Sequence, residues 1–219
     1  WFRRVLFRSV IDFDSQFDGE KVSDFYEFGT FWIKTMGKTA VIILAEGAEE
    51  METVISADVL RRGGITVKLA GLEGTAPVKC SRDVVIVPDC SLLEIQNDDF
   101  DAIVLPGGLG GANRMSESLL VKGILTNMND KGKLIAAICA APCALKAHGI
   151  SKGKAVTSHP SMRDKLESDY VYTDSAVVTD GNIITSRGPG TTFDFALEIV
   201  KYLEGADKAE SLKAPMILS

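Results

Sequence analysis

The chain has 219 residues, 46% of them hydrophobic and 25% charged, with 24 Lys+Arg against 30 Asp+Glu and a net charge of −6. That composition excludes a disordered, collagen-like or coiled-coil chain and fits one soluble globular domain or two small ones. No apolar run approaches the ~20 residues that span a bilayer, and the acidic balance argues against a nucleic-acid footprint, which needs a basic face.

The first 35 residues stand apart. Ten of the 16 aromatic residues precede Met36, including both Trp and seven of the ten Phe. Residues 1–9 carry three Arg and no acid, whereas residues 10–35 carry six Asp or Glu against Lys21 and Lys34. This reversal breaks the acid-poor pattern of a transit peptide, and the apolar core of a secretory signal is missing. Residues 1–35 also lack a sustained helical or strand period. They are expected to be a non-native or disordered extension, with Met36-Gly37-Lys38 as the natural start and residues 36–219 as a single domain.

From there the elements follow in order. Residues 40–44 (AVIIL) form a continuous apolar run suited to a buried parallel strand. A helix opens at residues 47–50, and Met51, Val54, Ile55, Val59 and Leu60 recur at helical spacing until Gly63-Gly64. Residues 65–70 return as strand, completing a βαβ unit. Residues 84–87 are a third β run, stopped by Pro88. Ala102–Leu105 is a further buried strand ending at Pro106-Gly107-Gly108. Residues 116–129 read as helix, Leu134–Ile138 as strand and residues 140–147 as helix. Asp180-Gly181, between Val177-Val178 and Ile183-Ile184, marks a hairpin turn. Residues 191–203 are a helix whose apolar stripe is Phe195, Ala196, Ile199, Val200 and Leu203. The alternation predicts an α/β domain with a mostly parallel sheet covered on both faces. Ligands of such sheets bind at the carboxyl ends of the strands.

The sharpest chemical signal is Leu134-Ile135-Ala136-Ala137-Ile138-Cys139-Ala140-Ala141-Pro142. A buried strand runs into a helix with one Cys at the junction, and the small neighbours permit the sharp turn of a nucleophile elbow. A helix start favours thiolate over thiol, so Cys139 reads as a reactive nucleophile and not as a buried structural cysteine. Glu46, Glu49, Glu50 and Glu52 surround the start of the first helix. Helix-dipole complementation explains Glu49 and Glu50, and spacing alone makes Glu52 a weaker acid–base candidate. His148 ends a helix, where a cation is ordinary; His159, after a β-like stretch at residues 154–158, can face the sheet's carboxyl edge near Cys139. Pro106-Gly107-Gly108-Leu109-Gly110-Gly111 is neither a dinucleotide fingerprint nor a P-loop. It is a tight turn, or a place where backbone N–H groups meet an oxyanion. Cys80, Cys90, Cys139 and Cys143 form no C-x-x-C pair, so neither a metal site nor any cofactor is expected. The chain reads as reduced and intracellular: cytoplasmic, with nucleus or mitochondrion as alternatives.

Six motifs in order resemble one family: Ala45-Glu46-Gly47-Ala48-Glu49-Glu50-Met51-Glu52, Val78-Lys79-Cys80-Ser81-Arg82-Asp83, Val104-Leu105-Pro106-Gly107-Gly108, Ala136-Ala137-Ile138-Cys139-Ala140-Ala141-Pro142, Ser158-His159-Pro160 and Thr185-Ser186-Arg187-Gly188-Pro189-Gly190-Thr191. Over residues 38–219 the chain resembles the ThiJ/PfpI superfamily, in the branch of the parkinsonism-associated protein deglycase and the glutathione-independent glyoxalases. The resemblance implies a flavodoxin-like three-layer sandwich, a homodimer and a cysteine nucleophile at Cys139. It further implies Glu52 hydrogen-bonded to that thiol, His159 in the active site, and the N–H groups of Gly108 and Ala140 as oxyanion donors. Cys80 matches a peripheral redox-sensitive cysteine; Val87 replaces a second one. Cys143 stands where some members have Thr and is a candidate to resolve an oxidised Cys139. Ala140 replaces the His of the superfamily's proteases, and His159-Pro160-Ser161 breaks the His-x-Glu of its amidotransferases. The implied activity is that of a glyoxalase III-type hydro-lyase or deglycase, acting on methylglyoxal, glyoxal or glycated protein thiols and amines. The alternative is an oxidative-stress sensor and redox-dependent chaperone working through oxidation of Cys139. Residues 52–62 and 187–189 are the candidates to meet a second subunit.

Overall fold

The computed structural model describes residues 25–28, 31–34 and 37–218. The chain divides into two units, Trp1–Met36 and Gly37–Ser219. In the first, β1 (Phe25–Phe28) and β2 (Phe31–Lys34) pair antiparallel, Phe28 opposite Phe31. The extension therefore contains a short strand pair in the stretch for which no regular structure was expected; its other residues, and Met36, lie outside the described set.

The second unit is built on seven strands. In chain order they are β3 (Thr39–Leu44), β4 (Thr66–Gly71), β7 (Cys90–Ser91), β8 (Ala102–Leu105), β9 (Leu134–Ile138), β12 (Val177–Asp180) and β13 (Ile183–Ser186); β5 (Val78–Lys79), β6 (Val85–Ile86), β10 (Ala155–Val156) and β11 (Val171–Tyr172) lie outside the main sheet. Their spatial order is β12-β13-β9-β8-β3-β4-β7, and every pairing is parallel except β12 with β13. That exception is the hairpin expected at Asp180-Gly181, and Gly181 has the positive φ (61°) such a turn demands.

Alternation along each strand divides the core in two. Ala40, Ile42, Val104, Ala136, Ile138 and Ile184 face α1 (Glu50–Arg62) and α6 (Thr192–Glu204), where they meet Val59, Leu60, Phe195 and Ile199. Val41, Ile43, Ile103, Leu105 and Ile135 face α2 (Leu109–Glu117), α3 (Leu119–Asp130) and α4 (Pro142–Ala147), where they meet Met115, Leu125 and Leu145. Each fully buried aliphatic side chain contributes roughly 1.5–3 kcal/mol, so the sheet is held from both sides. This is the three-layer α/β sandwich with a mostly parallel sheet that the sequence led us to expect.

Three expectations need correction, and two helices are added. The run at residues 84–87 is not in the main sheet: β6 (Val85–Ile86) pairs antiparallel with β5 (Val78–Lys79) in a separate ribbon. Val85 and Val87 are largely exposed, and the edge position beside β4 falls to β7. The single helix at residues 116–129 is two, because Ser118 adopts an extended backbone and its hydroxyl accepts from Val121 N, capping α3 afresh. The β-like stretch at residues 154–158 yields only β10 (Ala155–Val156), paired with β11 (Val171–Tyr172) in a small sheet of its own. A short α5 (Arg163–Leu166) follows His159, and α7 (Ala206–Lys213), buried only through Ala209 and Leu212, follows α6. An apolar contact that sparse leaves little helical period to read.

Candidate active site

β9 ends at Ile138 and α4 begins at Pro142, so three residues turn the chain from sheet to helix. Cys139 makes that turn in the left-handed region, φ 64°, at a cost of roughly 1–3 kcal/mol for a residue with a side chain. The neighbours hold it there. Cys139 N donates to Ser186 O on β13 (3.0 Å), Cys139 O accepts from His159 N (2.9 Å), and Ala141 N returns to Ile138 O (3.0 Å). The elbow expected from the small flanking residues is present, at the carboxyl edge of the sheet.

Glu52 reaches the same edge from α1. As the third residue of that helix it would ordinarily fold back onto the N-cap amide in a capping box. Here both ends of that box are taken. The Glu49 carboxylate accepts from Glu52 N (2.8 Å), and Glu49 N donates to Gly107 O (3.0 Å). The Glu52 side chain is left to turn inward, where it is 0% exposed. Oε2 accepts from Gly107 N at 2.6 Å, while Oε1 has no conventional hydrogen-bond partner among the described residues. Gly107 has room for nothing more. A Cβ there would lie 2.5 Å from Cys139 Cβ and 2.8 Å from Glu52 Oε2. Carboxyl and thiol therefore flank one glycine.

The electrostatics follow from burial. Loss of water pushes the Glu52 carboxyl up to about 7; the Gly107 N–H and the Cys139 thiol oppose that rise, and the nearby Glu49 charge adds to it. Burial and then the Glu52 charge push the Cys139 thiol up to about 12, while the N–H groups of Gly108 and Ala140 pull it down. A thiolate stabilised simply by a helix start, as read from the sequence, is thus corrected: α4 has only six residues, and burial, then the Glu52 charge, outweighs the amides around the sulfur. The two groups form one coupled pair: the Glu52 charge keeps the thiol protonated, and a proton on Glu52 relieves that part of the penalty. Gly108 and Ala140 direct their amides at the sulfur, the positions named for the oxyanion donors.

His159 joins this group through its backbone. Its ring is exposed, and Nδ1 meets Ser161 Oγ at 2.7 Å; among the described residues the ring makes no hydrogen bond with Cys139. Beside it opens a cavity of about 490 Å³, lined by His159, Asp174, Arg187, Gly188 and Thr191 among others. Arg187 is fixed by donating to Asp174 O (2.9 Å). The structure brings Glu52, Cys139, Gly108 and Ala140 together, and ties His159, which lines the cavity that these four do not, to Cys139 through the backbone.

Of the other three cysteines, the two named as redox candidates lie apart. Cys80 is buried beside Leu44, Ala48 and Val78, and burial with the charges of Glu50, Glu49 and Glu46 pushes its thiol up to about 11. That environment disfavours thiolate, against the expectation of a redox-sensitive Cys80. Cys143 packs against the core beneath α2–α4, whereas Cys139 packs against the core beneath α1 and α6. The geometry therefore gives no support to Cys143 as a resolving thiol. The residue missed from sequence is Gly107, visible there only as part of a glycine cluster. Among the described residues no cluster of three or more His, Cys, Asp or Glu is disposed to hold a metal ion.

Residues 38–202 match the DJ-1/PfpI family. The chain is 54% identical over 185 residues to Protein dj-1beta of Drosophila melanogaster, covering 84% of this chain and 99% of that protein. It is 45% identical over 184 residues to the glutathione-independent glyoxalase DJR-1.2 of Caenorhabditis elegans, covering 83% and 97%. The crystal structure of Drosophila melanogaster DJ-1beta superposes with a TM-score of 0.83 over 84% of this chain and 100% of that one.

Proposed function

The chain belongs to the DJ-1/PfpI family, and from that premise we propose that it is a glutathione-independent glyoxalase converting methylglyoxal to lactate through a thiohemiacetal on Cys139. The carrying observation is the buried Glu52 carboxyl beside the Cys139 thiol, poised near neutrality, with Oε1 lacking a conventional hydrogen-bond partner among the described residues. The glyoxalase relative at 45% identity supports the substrate class.

The reaction needs a nucleophile, an oxyanion site and a group that moves protons between adjacent carbons. Cys139 sulfur attacks the aldehyde carbon of methylglyoxal, and the sulfur's proton, held by Glu52, passes to the new alkoxide. The N–H groups of Gly108 and Ala140 stabilise that oxyanion. Glu52 carboxylate then takes the hydrogen of the former aldehyde carbon, giving an enediol, and returns it to the adjacent carbon. His159 serves the second oxygen from the cavity side. The product is the Cys139 thioester of lactate; water cleaves it to lactate and restores the thiol, so the balance is methylglyoxal plus water to lactate. Hemithioacetals and aminocarbinols on proteins offer the same carbon to the sulfur, which extends the reading to a deglycase. The test is lactate production from methylglyoxal without glutathione. Wild type is expected to turn over, and Cys139→Ala and Glu52→Gln to lose turnover; an inactive wild type would sink the reading.

One observation favours a sensor as the second reading. Two amides and a protonated carboxyl around one sulfur suit a sulfinate as well as an oxyanion. Peroxide would oxidise the thiol first to sulfenic and then to sulfinic acid, releasing one water at each step. An unchanged Cys139 mass after peroxide treatment excludes it. The homodimer is likewise proposed. Met51 and Val54 on α1 are each 51% exposed, an apolar face that a second copy would cover. Val54→Asp is expected to give a monomer in size-exclusion chromatography where wild type runs as a dimer.

A further inference from the structure

We propose that Ser161 is a positioning residue for His159: it holds the imidazole as the Nε2–H tautomer, with the Cδ2–Nε2 edge turned to the cavity that His159 and Gly188 line. The kinetic part of this inference rests on the glyoxalase reading; the tautomer does not.

His159 caps the 3-10 turn Pro160–Met162 with its own side chain. Pro160 has no amide hydrogen, so Ser161 N is the first donor that turn can offer. It points at Nδ1 at 3.3 Å. An amide N–H only donates, so Nδ1 carries a lone pair and the ring proton sits on Nε2. Ser161 Oγ, 2.7 Å from the same nitrogen, then donates as well. One residue thus aims two donors at one edge of the ring.

The opposite edge faces the cavity. A Cβ at Gly188, which lines it, would sit 3.8 Å from His159 Cδ2. The backbone cannot drift, because His159 N donates to Cys139 O (2.9 Å) and His159 O accepts from Met162 N (2.8 Å). What remains free is rotation of the ring and the choice of tautomer, and Ser161 restricts both. The cavity is thereby offered a proton donor, which in the glyoxalase reading complements the Glu52 carboxylate that removes hydrogen from carbon. This division of labour is what an enediol step requires: one group takes hydrogen from carbon while another protonates the adjoining carbonyl oxygen.

The test uses the full chain with 15N-labelled histidine. Only two histidines are present, and His148 is set apart by its own contact, Nε2 to Met115 O at 2.8 Å. In the wild type the His159 ring nitrogens are expected to report an unprotonated Nδ1 and a protonated Nε2. Ser161→Ala is expected to mix the two tautomers and to lower kcat for lactate formation about fivefold, the factor one neutral hydrogen bond is worth, with KM unchanged. Ser161→Thr is expected to restore both signals. Alkylation of Cys139 should be equal in all three proteins, since Ser161 does not touch the sulfur. A ring spectrum identical in wild type and Ser161→Ala overturns the proposal, as does a shifted tautomer with unchanged kcat. A wild type without turnover ends the glyoxalase reading instead, and the ring spectrum then decides the Ser161–His159 relation alone.

Discussion

Gly107 donates its backbone N–H to Glu52 Oε2 at 2.6 Å, and this bond, with the Cys139 thiol beside it, offsets only part of the burial of a carboxyl group with no exposed surface. The result is an acid whose proton affinity is matched to neutral pH and whose second oxygen is free for the neighbouring sulfur.

The stability of the folded protein should therefore fall as pH rises. The Glu52 carboxyl is raised from 4.5 to about 7 on folding, so between those values the folded state binds more protons than the unfolded state, and stability is lost as pH increases through the window. The penalty above pH 8 is on the order of 3 kcal/mol. Glu52→Gln, which cannot ionise, is expected to be more stable than wild type at pH 8 and nearly equal at pH 4. Denaturant unfolding at the two pH values measures the difference; equal midpoints at pH 8 would refute the buried carboxylate.

Reactivity of the thiol should follow the same titration. Because the pair releases its first proton near 7 and its second near 12, thiolate becomes accessible only as the pair loses its first proton. Alkylation of Cys139 by iodoacetamide is expected to rise with pH through an inflection near 7. In Glu52→Gln that inflection should disappear. An inflection retained by the variant would show that Glu52 does not control the sulfur.

Gly107→Ala should damage the site from within the backbone. The added methyl would meet Cys139 Cβ, Glu52 Oε2 and Ile138 O, all inside 3.0 Å. Overpacking of this kind costs about 1–3 kcal/mol, and an ångström of displacement costs about 100-fold in rate. Folded protein with intact turnover would contradict the close approach.

The division of the chain is testable by removal. A protein beginning at Met36 is expected to keep the melting temperature and the Cys139 alkylation rate of the full chain, because the core described for the second unit is assembled from residues 40–212. Loss of either would make the first 35 residues part of the domain.

Much of the fold was legible because it rests on local period. Short continuous apolar runs stopped by turn residues, such as Ala102–Leu105 before Pro106-Gly107, suit strands buried on both faces, and the stripe of α6 shows its helical spacing. The errors fell where period is short or a side chain intervenes. Val85 and Val87 look like sheet residues but are solvent-facing, and Ser118 splits a helix with one hydroxyl. The elbow at Cys139 was legible as well, since small residues between a strand and a proline-started helix leave few other conformations.

What the sequence by itself determined is the order of strands and helices and the place of the nucleophile, both consequences of local sterics and burial. The charge state of that nucleophile was decided only by tertiary structure. Glu52 and Gly107 are 55 positions apart, and nothing in either neighbourhood says that this amide and the Cys139 thiol will meet a buried carboxyl. Burial is a property of the assembled layers, and it is burial that turns an ordinary first-turn glutamate into a group that titrates near 7 and governs Cys139.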